Sequence, residues 1–416
     1  MDKVRQSAPQ LANIEPYDPK YIPAKIMNSA NENPLDVPAH IKNEMLQALQ
    51  YLPFNRYPDP LANDLRDMIA THESESLAQG CAPSPDKSKP QAQDFDLTRD
   101  NVIVGNGGDE LLFNIALIWG GVGRTFLNVP PTFSVYENNA LLTQTNIVNI
   151  PRNPDFSLNE DAILNRAAKD DIDYIILTSP NNPTGDLVRP QFIEKLLNVT
   201  DALVVVDEAY FEFSGKSVLP LLSSNKNLMI LRTFSKAYSL AGVRVGYALA
   251  HSDVIREFLR VRQPYSVNAM SQCVAKVAYA HRDEMLAGVQ TIVQERQRMF
   301  DALQGILSRF NALNVTSHLG ADLNMSANSN SEANLNSSTN LNSNAVACEV
   351  FPSSANYLLC RLPHADKVWQ QLLDAGILVR DFSHSKGLEN CLRISIGTHE
   401  ENDAFLQELQ KILGLV

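Results

Sequence analysis

From residue 101 onward the chain repeats a two-part pattern. A short, continuously apolar run is followed by a longer stretch that is apolar on one side only. The short runs are residues 101–104, 124–129, 144–150, 174–178, 203–207, 228–232 and 246–250. Several, such as Leu203-Val-Val-Val, lack polar alternation, as strands covered on both faces do. The longer stretches, among them 109–119 and 189–200, fit helices. This alternation predicts an α/β domain whose seven strands form a mainly parallel sheet between helices.

A helical pattern then runs over 252–303, with breaks expected near Pro264 and Arg282. Residues 356–361, 377–380 and 391–396 read as strands, and 366–374 and the stretch from Glu401 as helices. This is a smaller α+β domain. Residues 72–96 and 317–346 fit neither domain. The first is rich in Ser, Gln, Pro and charge, the second in Asn and Ser. Such compositions bury too little apolar surface to offset ordering entropy, so both are expected to be surface insertions. The expected organisation is an arm over 1–40 that contributes to the small domain and to a dimer, a large domain over 41–275, and a small domain over 276–416.

Charge and cysteine usage narrow the function. The net charge of −12 gives no footprint for nucleic acid or an anionic membrane. Cys81, Cys273, Cys348, Cys360 and Cys391 are scattered, without metal-ligand spacing, so no metal site is expected. The first residues carry no apolar run of a secretory signal, and no stretch approaches the ~18 apolar residues a membrane helix needs. The chain is expected in the cytoplasm.

Chemistry concentrates in loops that follow the strands. Gly105-Asn-Gly-Gly-Asp-Glu110 leaves a strand and opens a helix. Its glycines admit a close ligand and the helix start favours an anion, yet neither the Rossmann nor the Walker spacing is present. Ser179-Pro-Asn-Asn-Pro-Thr-Gly185 makes a rigid polar turn where open α/β sheets bind ligands. Asp207 ends an apolar strand, with Tyr210 three residues on. A carboxylate there can keep a pyridine nitrogen protonated. In Thr233-Phe-Ser-Lys236, Lys236 stands beside Ser235, and Arg244 follows eight residues later. An amine that loses its proton condenses with an aldehyde, and a guanidinium forks onto a phosphate. Pyridoxal phosphate carries both groups and would use both residues. Each feature alone has an ordinary structural explanation; their order along one chain does not.

These segments resemble the fold-type I pyridoxal-phosphate aminotransferases of class I/II, and most closely the histidinol-phosphate aminotransferases. The resemblance runs from Asn28 to the C-terminus, outside the two insertions. It rests on Asn31-Glu-Asn-Pro34, Arg56-Tyr-Pro-Asp59, residues 105–110, 130–136, 179–185 and 207–210, the segment 235–247, and Leu392-Arg-Ile-Ser-Ile-Gly397. It implies that Lys236 carries the cofactor and shuttles the proton, and that Asp207 pairs with the pyridine nitrogen. Asn182 and Tyr210 would hold the phenolic oxygen, with Asn182 also near substrate. Gly107, Gly108, Asp109, Ser235 and Arg244 would hold the phosphate. Phe133, where the family often has tyrosine, would stack on the ring. Tyr57 would reach the phosphate in a neighbouring subunit, which requires a homodimer. Arg393 would bind the substrate's anionic end, supported by Arg380, Tyr17 and Tyr265. The implied reaction is transamination between an amino donor, histidinol phosphate, and 2-oxoglutarate in histidine synthesis. An aromatic-amino-acid aminotransferase and a threonine-phosphate decarboxylase on the same scaffold are the alternatives.

Overall fold

The computed structural model describes residues 5, 7–11, 14, 22–80, 96–326 and 348–416. In chain order the strands are β1 (Ile26–Asn28), β2 (Val102–Gly105), β3 (Thr125–Asn128), β4 (Asn146–Asn149), β5 (Tyr174–Thr178), β6 (Leu203–Asp207), β7 (Leu228–Thr233), β8 (Gly246–Ala250), β9 (Glu349–Phe351), β10 (Tyr357–Arg361), β11 (Ile377–Asp381) and β12 (Cys391–Ser395). The helices are α1 (Ala39–Gln50), α2 (Asn63–Gly80), α3 (Gly107–Trp119), α4 (Val135–Leu142), α5 (Glu160–Ala167), α6 (Pro190–Val199), α7 (Ser252–Val261), α8 (Ala269–Ala280), α9 (Arg282–Met285), α10 (Val289–Ser326), α11 (Ala365–Asp374) and α12 (His399–Ile412).

The chain divides into two units. One comprises Glu32–Val293, Ser353–Asn356 and the described part of Met1–Lys20; the other comprises Tyr21–Asn31, Gln294–Pro352 and Tyr357–Val416. The boundary anticipated near residue 275 therefore falls after Val293. Of the anticipated arm, only Tyr21–Asn31 goes with the second unit.

In the first unit all seven anticipated strands form one sheet, in the order β2-β8-β7-β6-β5-β3-β4. β8 runs antiparallel to both its neighbours, and the other pairings are parallel. Both faces are covered. Alternate residues of the central strands, such as Val204, Val206, Leu228 and Ile230, pack with Ile41, Leu65, Phe192 and Tyr279 from the helices on one side. The intervening Leu203, Val205, Met229 and Leu231 pack with Leu111, Ile115, Tyr136 and Phe258 on the other. Continuous apolarity in the sequence thus conceals a period of two that sorts side chains between two helical layers.

The anticipated insertion at 72–96 is corrected in part. Residues 72–80 complete α2, and its buried Leu77 belongs to the core. Residues 81–95, Cys81 among them, lie outside the described residues. Of the second anticipated insertion, residues 317–326 belong to the end of α10, and residues 327–346 lie outside the described residues.

α2 also supplies Glu73, 3% exposed, to an ion cluster inside the first unit. Arg232 Nη1 donates to Glu73 Oε1 at 2.8 Å and Arg232 Nε donates to Glu208 Oε2 at 3.0 Å. Burial pulls the guanidinium's pKa down, but Glu73 and Glu208 outweigh it, so Arg232 stays charged. Burial pushes the nearby Glu212 carboxyl up to about 8. Glu212 is therefore neutral at pH 7 and adds no further negative charge. Arg232→Met would strand two buried carboxylates. The expected cost is about 3–5 kcal/mol of stability, measured as a lowered denaturant midpoint at constant slope. A loss within 0.5 kcal/mol of zero would contradict the cluster's role.

The second unit holds a five-stranded sheet in the order β1-β11-β12-β10-β9, with β1 parallel to β11 and the other pairings antiparallel. A capping box at Thr398 and Glu401 starts α12. Beside it, Glu295 accepts hydrogen bonds from Arg298 Nη2 (2.7 Å) and Asn402 Nδ2 (3.0 Å), and lies 2.9 Å from His399 Nδ1. Burial raises the Glu295 pKa, but these partners together hold it at about 2, against an ordinary 4.5. The folded carboxyl binds its proton more weakly than the unfolded one. Its contribution to stability is therefore present above pH 4.5 and is lost as pH falls toward 2. Glu295→Gln should lower the melting temperature at neutral pH, and the gap from the parent should close across that acidic window. A gap independent of pH would refute this account.

Candidate active site

The parallel strands β3, β5, β6 and β7 end on one edge of the large sheet. β8 runs against β7 and β2 runs against β8, so β2 also ends there and β8 begins there. Open α/β sheets bind ligands outside this edge. The loops at 105–110, 179–185, 207–210 and 233–247 all leave from it.

α3 opens at Gly107, whose φ is +73°; a Cβ there would lie 2.6 Å from Arg244 Nη2. A Cβ on Gly246 would lie 2.7 Å from the carbonyl carbon of Gly107 and 2.7 Å from the nitrogen of Gly108. The Gly107–Gly108 peptide can come this close only because Gly246 lacks a side chain. Arg244 Nη2 donates to Asp109 Oδ2 at 2.9 Å, and Nη1 reaches Ser235 Oγ at 3.5 Å. Thr233 Oγ1 donates to Ser235 Oγ at 3.0 Å and receives the Ser235 N–H at 3.1 Å. Asn106, the residue before α3, makes no side-chain cap. The start of α3, the Ser235 hydroxyl and the Arg244 guanidinium therefore lie together, a combination that suits an anion.

Lys236 is half-buried, and its ammonium lies 5.8 Å from the centre of the Tyr210 ring. Asn33 Nδ2 donates to the Ala237 carbonyl at 3.0 Å and so pins the lysine loop. Asp207 is 4% exposed and Tyr136 2%. Tyr136 Oη donates to Asp207 Oδ2 at 2.7 Å, and the Ala209 N–H donates to Oδ1 at 3.0 Å. Burial pushes the Asp207 pKa up to about 6, and Asp109 and Glu208 push the same way; the two donors oppose them. The Phe133 ring meets Tyr136 edge-on at 5.6 Å. Asn182 is 7% exposed, in the turn after β5. A lysine amine, an anion-favouring helix start, a buried carboxylate and an aromatic face at one sheet edge fit pyridoxal phosphate.

In the second unit, Arg380 on β11 stands directly opposite Arg393 on β12. Their guanidinium carbons lie 5.9 and 5.7 Å from the Phe382 ring centre, and Arg393 Nη2 donates to the Ser29 carbonyl at 2.6 Å. Directly opposed like charges destabilise a sheet, and an anion between them reverses the sign. In the first unit Tyr57 and Tyr265 stack at 4.4 Å and are 80% and 40% exposed. Tyr17 lies outside the described residues. Sequence reasoning gave no role to Tyr136, Thr178 or Asn33, although Tyr136 and Asn33 lie in stretches quoted for the resemblance. Tyr136 stands three residues after Phe133, but its burial and its bond to Asp207 appear only in the fold.

A mainly parallel sheet with a lysine amine, an anion-favouring helix start and a buried acid at its carboxyl edge suits amine chemistry. The chain belongs to the aminotransferase class I and II family, whose model matches residues 24–409. It is 36% identical to histidinol-phosphate aminotransferase 1 of Carboxydothermus hydrogenoformans, over 99% of this chain and 100% of that one. Two solved structures share the fold. Histidinol-phosphate aminotransferase from Sinorhizobium meliloti, in complex with pyridoxal-5'-phosphate, gives a TM-score of 0.77 at 19% identity, covering 100% of both chains. L-threonine-O-3-phosphate decarboxylase from Porphyromonas gingivalis gives 0.70 at 22% identity, covering 94% of this chain and 99% of that one.

Proposed function

We propose that this aminotransferase acts with pyridoxal phosphate on histidinol phosphate and 2-oxoglutarate, giving imidazole-acetol phosphate and glutamate in histidine synthesis. Full-length kinship to an enzyme named for that donor supports the reaction. The observation that carries the substrate is the opposed pair Arg380 and Arg393. Histidinol phosphate has no carboxylate, so its phosphate dianion must be the anchor. Two guanidinium groups on paired strand positions suit a dianion better than a single carboxylate.

When bound, the cofactor supplies an electron sink that makes the carbon bearing the substrate's amino group acidic. The residues do the rest. Lys236 Nζ would hold the cofactor and, once released, would take up and return the proton. Asp207 would hold the proton on the pyridine nitrogen. Asn182 and Tyr210 would hold the phenolic oxygen, and Phe133 would cover the ring. Gly107, Gly108 and Asp109 at the start of α3, with Ser235 and Arg244, would hold the cofactor's phosphate. Arg393 binds the substrate's anionic end, aided by Arg380 and Tyr265. The test is a donor panel of histidinol phosphate, phenylalanine and threonine phosphate, ranked by kcat/KM. Phenylalanine ranking first would promote the aromatic aminotransferase, and carbon dioxide released from threonine phosphate would promote the decarboxylase.

The working form is a cytoplasmic homodimer with shared sites. Tyr57, Tyr51 and Phe54 are 80%, 86% and 74% exposed on one segment, a large aromatic surface for a free chain. Tyr57 would reach the phosphate bound by a second copy. Mixing Lys236→Ala chains with Tyr57→Phe chains should therefore restore activity above either parent, because some heterodimers carry one unaltered site. Full activity from a monomer would contradict the shared site.

A further inference from the structure

We infer that Thr178 and Tyr136 form a hydrogen-bond relay that holds Asp207 ionised and aimed, which makes both of them positioning residues. This rests on the reading that Asp207 pairs with the cofactor's ring nitrogen. The period of two in the strands builds the relay. Thr178 ends β5 and Asp207 ends β6, and the two are register partners. Each continues the alternate set, Tyr174 and Ile176 or Leu203 and Val205, that faces the layer holding Tyr136 of α4. The Tyr136 hydroxyl therefore meets both, at 2.7 Å from Asp207 Oδ2 and 2.7 Å from Thr178 Oγ1.

Proton counting fixes the direction. A carboxylate only accepts, and a phenol has one proton. Tyr136 therefore donates to Asp207, and its oxygen can only accept from Thr178. Thr178 has that proton to give: its other hydroxyl neighbour, Thr132 Oγ1, lies farther off at 3.3 Å and donates its own proton to Asn181 Oδ1 at 2.8 Å. Burial, together with the charge of Asp207, pushes the Tyr136 phenol upward, so it stays a donor.

The groups around Asp207 show why the relay matters. From α3 comes Asp109, itself paired with Arg244. From the end of β6 come Glu208 and Tyr210, and from the loop after β7 comes Lys236, near the Tyr210 ring. Burial and the two carboxylates favour a protonated Asp207. A protonated Asp207 could not hold a proton on the pyridine nitrogen by charge. Tyr136 and the Ala209 N–H oppose that outcome, and among the described residues only Tyr136 acts on Oδ2. The relay thus preserves the ionised state that the ring nitrogen needs.

The test uses the full-length protein reconstituted with pyridoxal phosphate, reading cofactor affinity and visible absorbance against pH. The parent should lose affinity on the acid side as Asp207 takes a proton, and Asp207→Asn should lack that limb. Removing a donor to a carboxylate raises its pKa, so Tyr136→Phe should move the limb up by about one pH unit, weakening binding about tenfold on the acid side of the limb and about twofold at neutral pH. Thr178→Val, which keeps the shape of the side chain, should move it the same way by less. A limb unmoved in Tyr136→Phe, or still present in Asp207→Asn, would overturn the relay. If Tyr136→Phe does not fold, Thr178→Val decides alone: an upward shift supports the relay and an unmoved limb overturns it. A parent protein that forms no chromophore on Lys236 would instead overturn the proposed function.

Discussion

Lys236→Ala is expected to abolish transamination, with a loss of about 10⁴-fold or more in kcat, because the amine that binds the cofactor and the base that moves the proton disappear together. Arginine at this position should not rescue it, since a guanidinium does not deprotonate and cannot condense with an aldehyde. Folding should be spared. Lys236 lies half-buried in a loop whose ends are fixed by the Thr233–Gly246 register pair and by the Phe234 N–H donating to the Val245 carbonyl at 3.0 Å. Borohydride reduction of the parent, followed by peptide mapping, should place the pyridoxyl label on Lys236. A label on another lysine would move the site.

Arg393→Ala should cost about 3 kcal/mol in both half-reactions, on the order of a hundredfold in kcat/KM, because it removes a buried charged fork. Arg393→Lys keeps the charge but not the geometry and should fall between. Arg380 distinguishes the substrates. If it is the second ligand of a dianion, Arg380→Ala should slow the histidinol-phosphate half-reaction more than the glutamate half-reaction, as read by single-turnover rates. Equal small losses would reduce Arg380 to a charge on a strand.

The sequence made the large sheet legible because its strands are covered on both faces and so read as unbroken apolar runs. It hid what depends on distant partners or short elements. β1 and β9 are three residues each, too short for any pattern to emerge. The end of α2 reads as polar surface, yet Glu73 lies inside, paired with an arginine 159 residues away. The cofactor-facing loops were legible because unusual residues stand at strand ends. Tyr136 was not, since its role depends on Asp207, 71 residues on. The opposition of Arg380 and Arg393 is a matter of strand register, which composition does not encode.

The close backbone approach at Gly107 and Gly246 bears on how natural variants of this chain should be read. Most sites fail by losing an atom that made a contact. Here, part of the site fails by gaining one, because a single methyl on Gly246 would overlap peptide atoms rather than a side chain that could swing aside. Ser235→Ala removes one hydroxyl and adds no atom, whereas Gly246→Ala has no place for its carbon, 2.7 Å from the Gly107 and Gly108 peptide atoms.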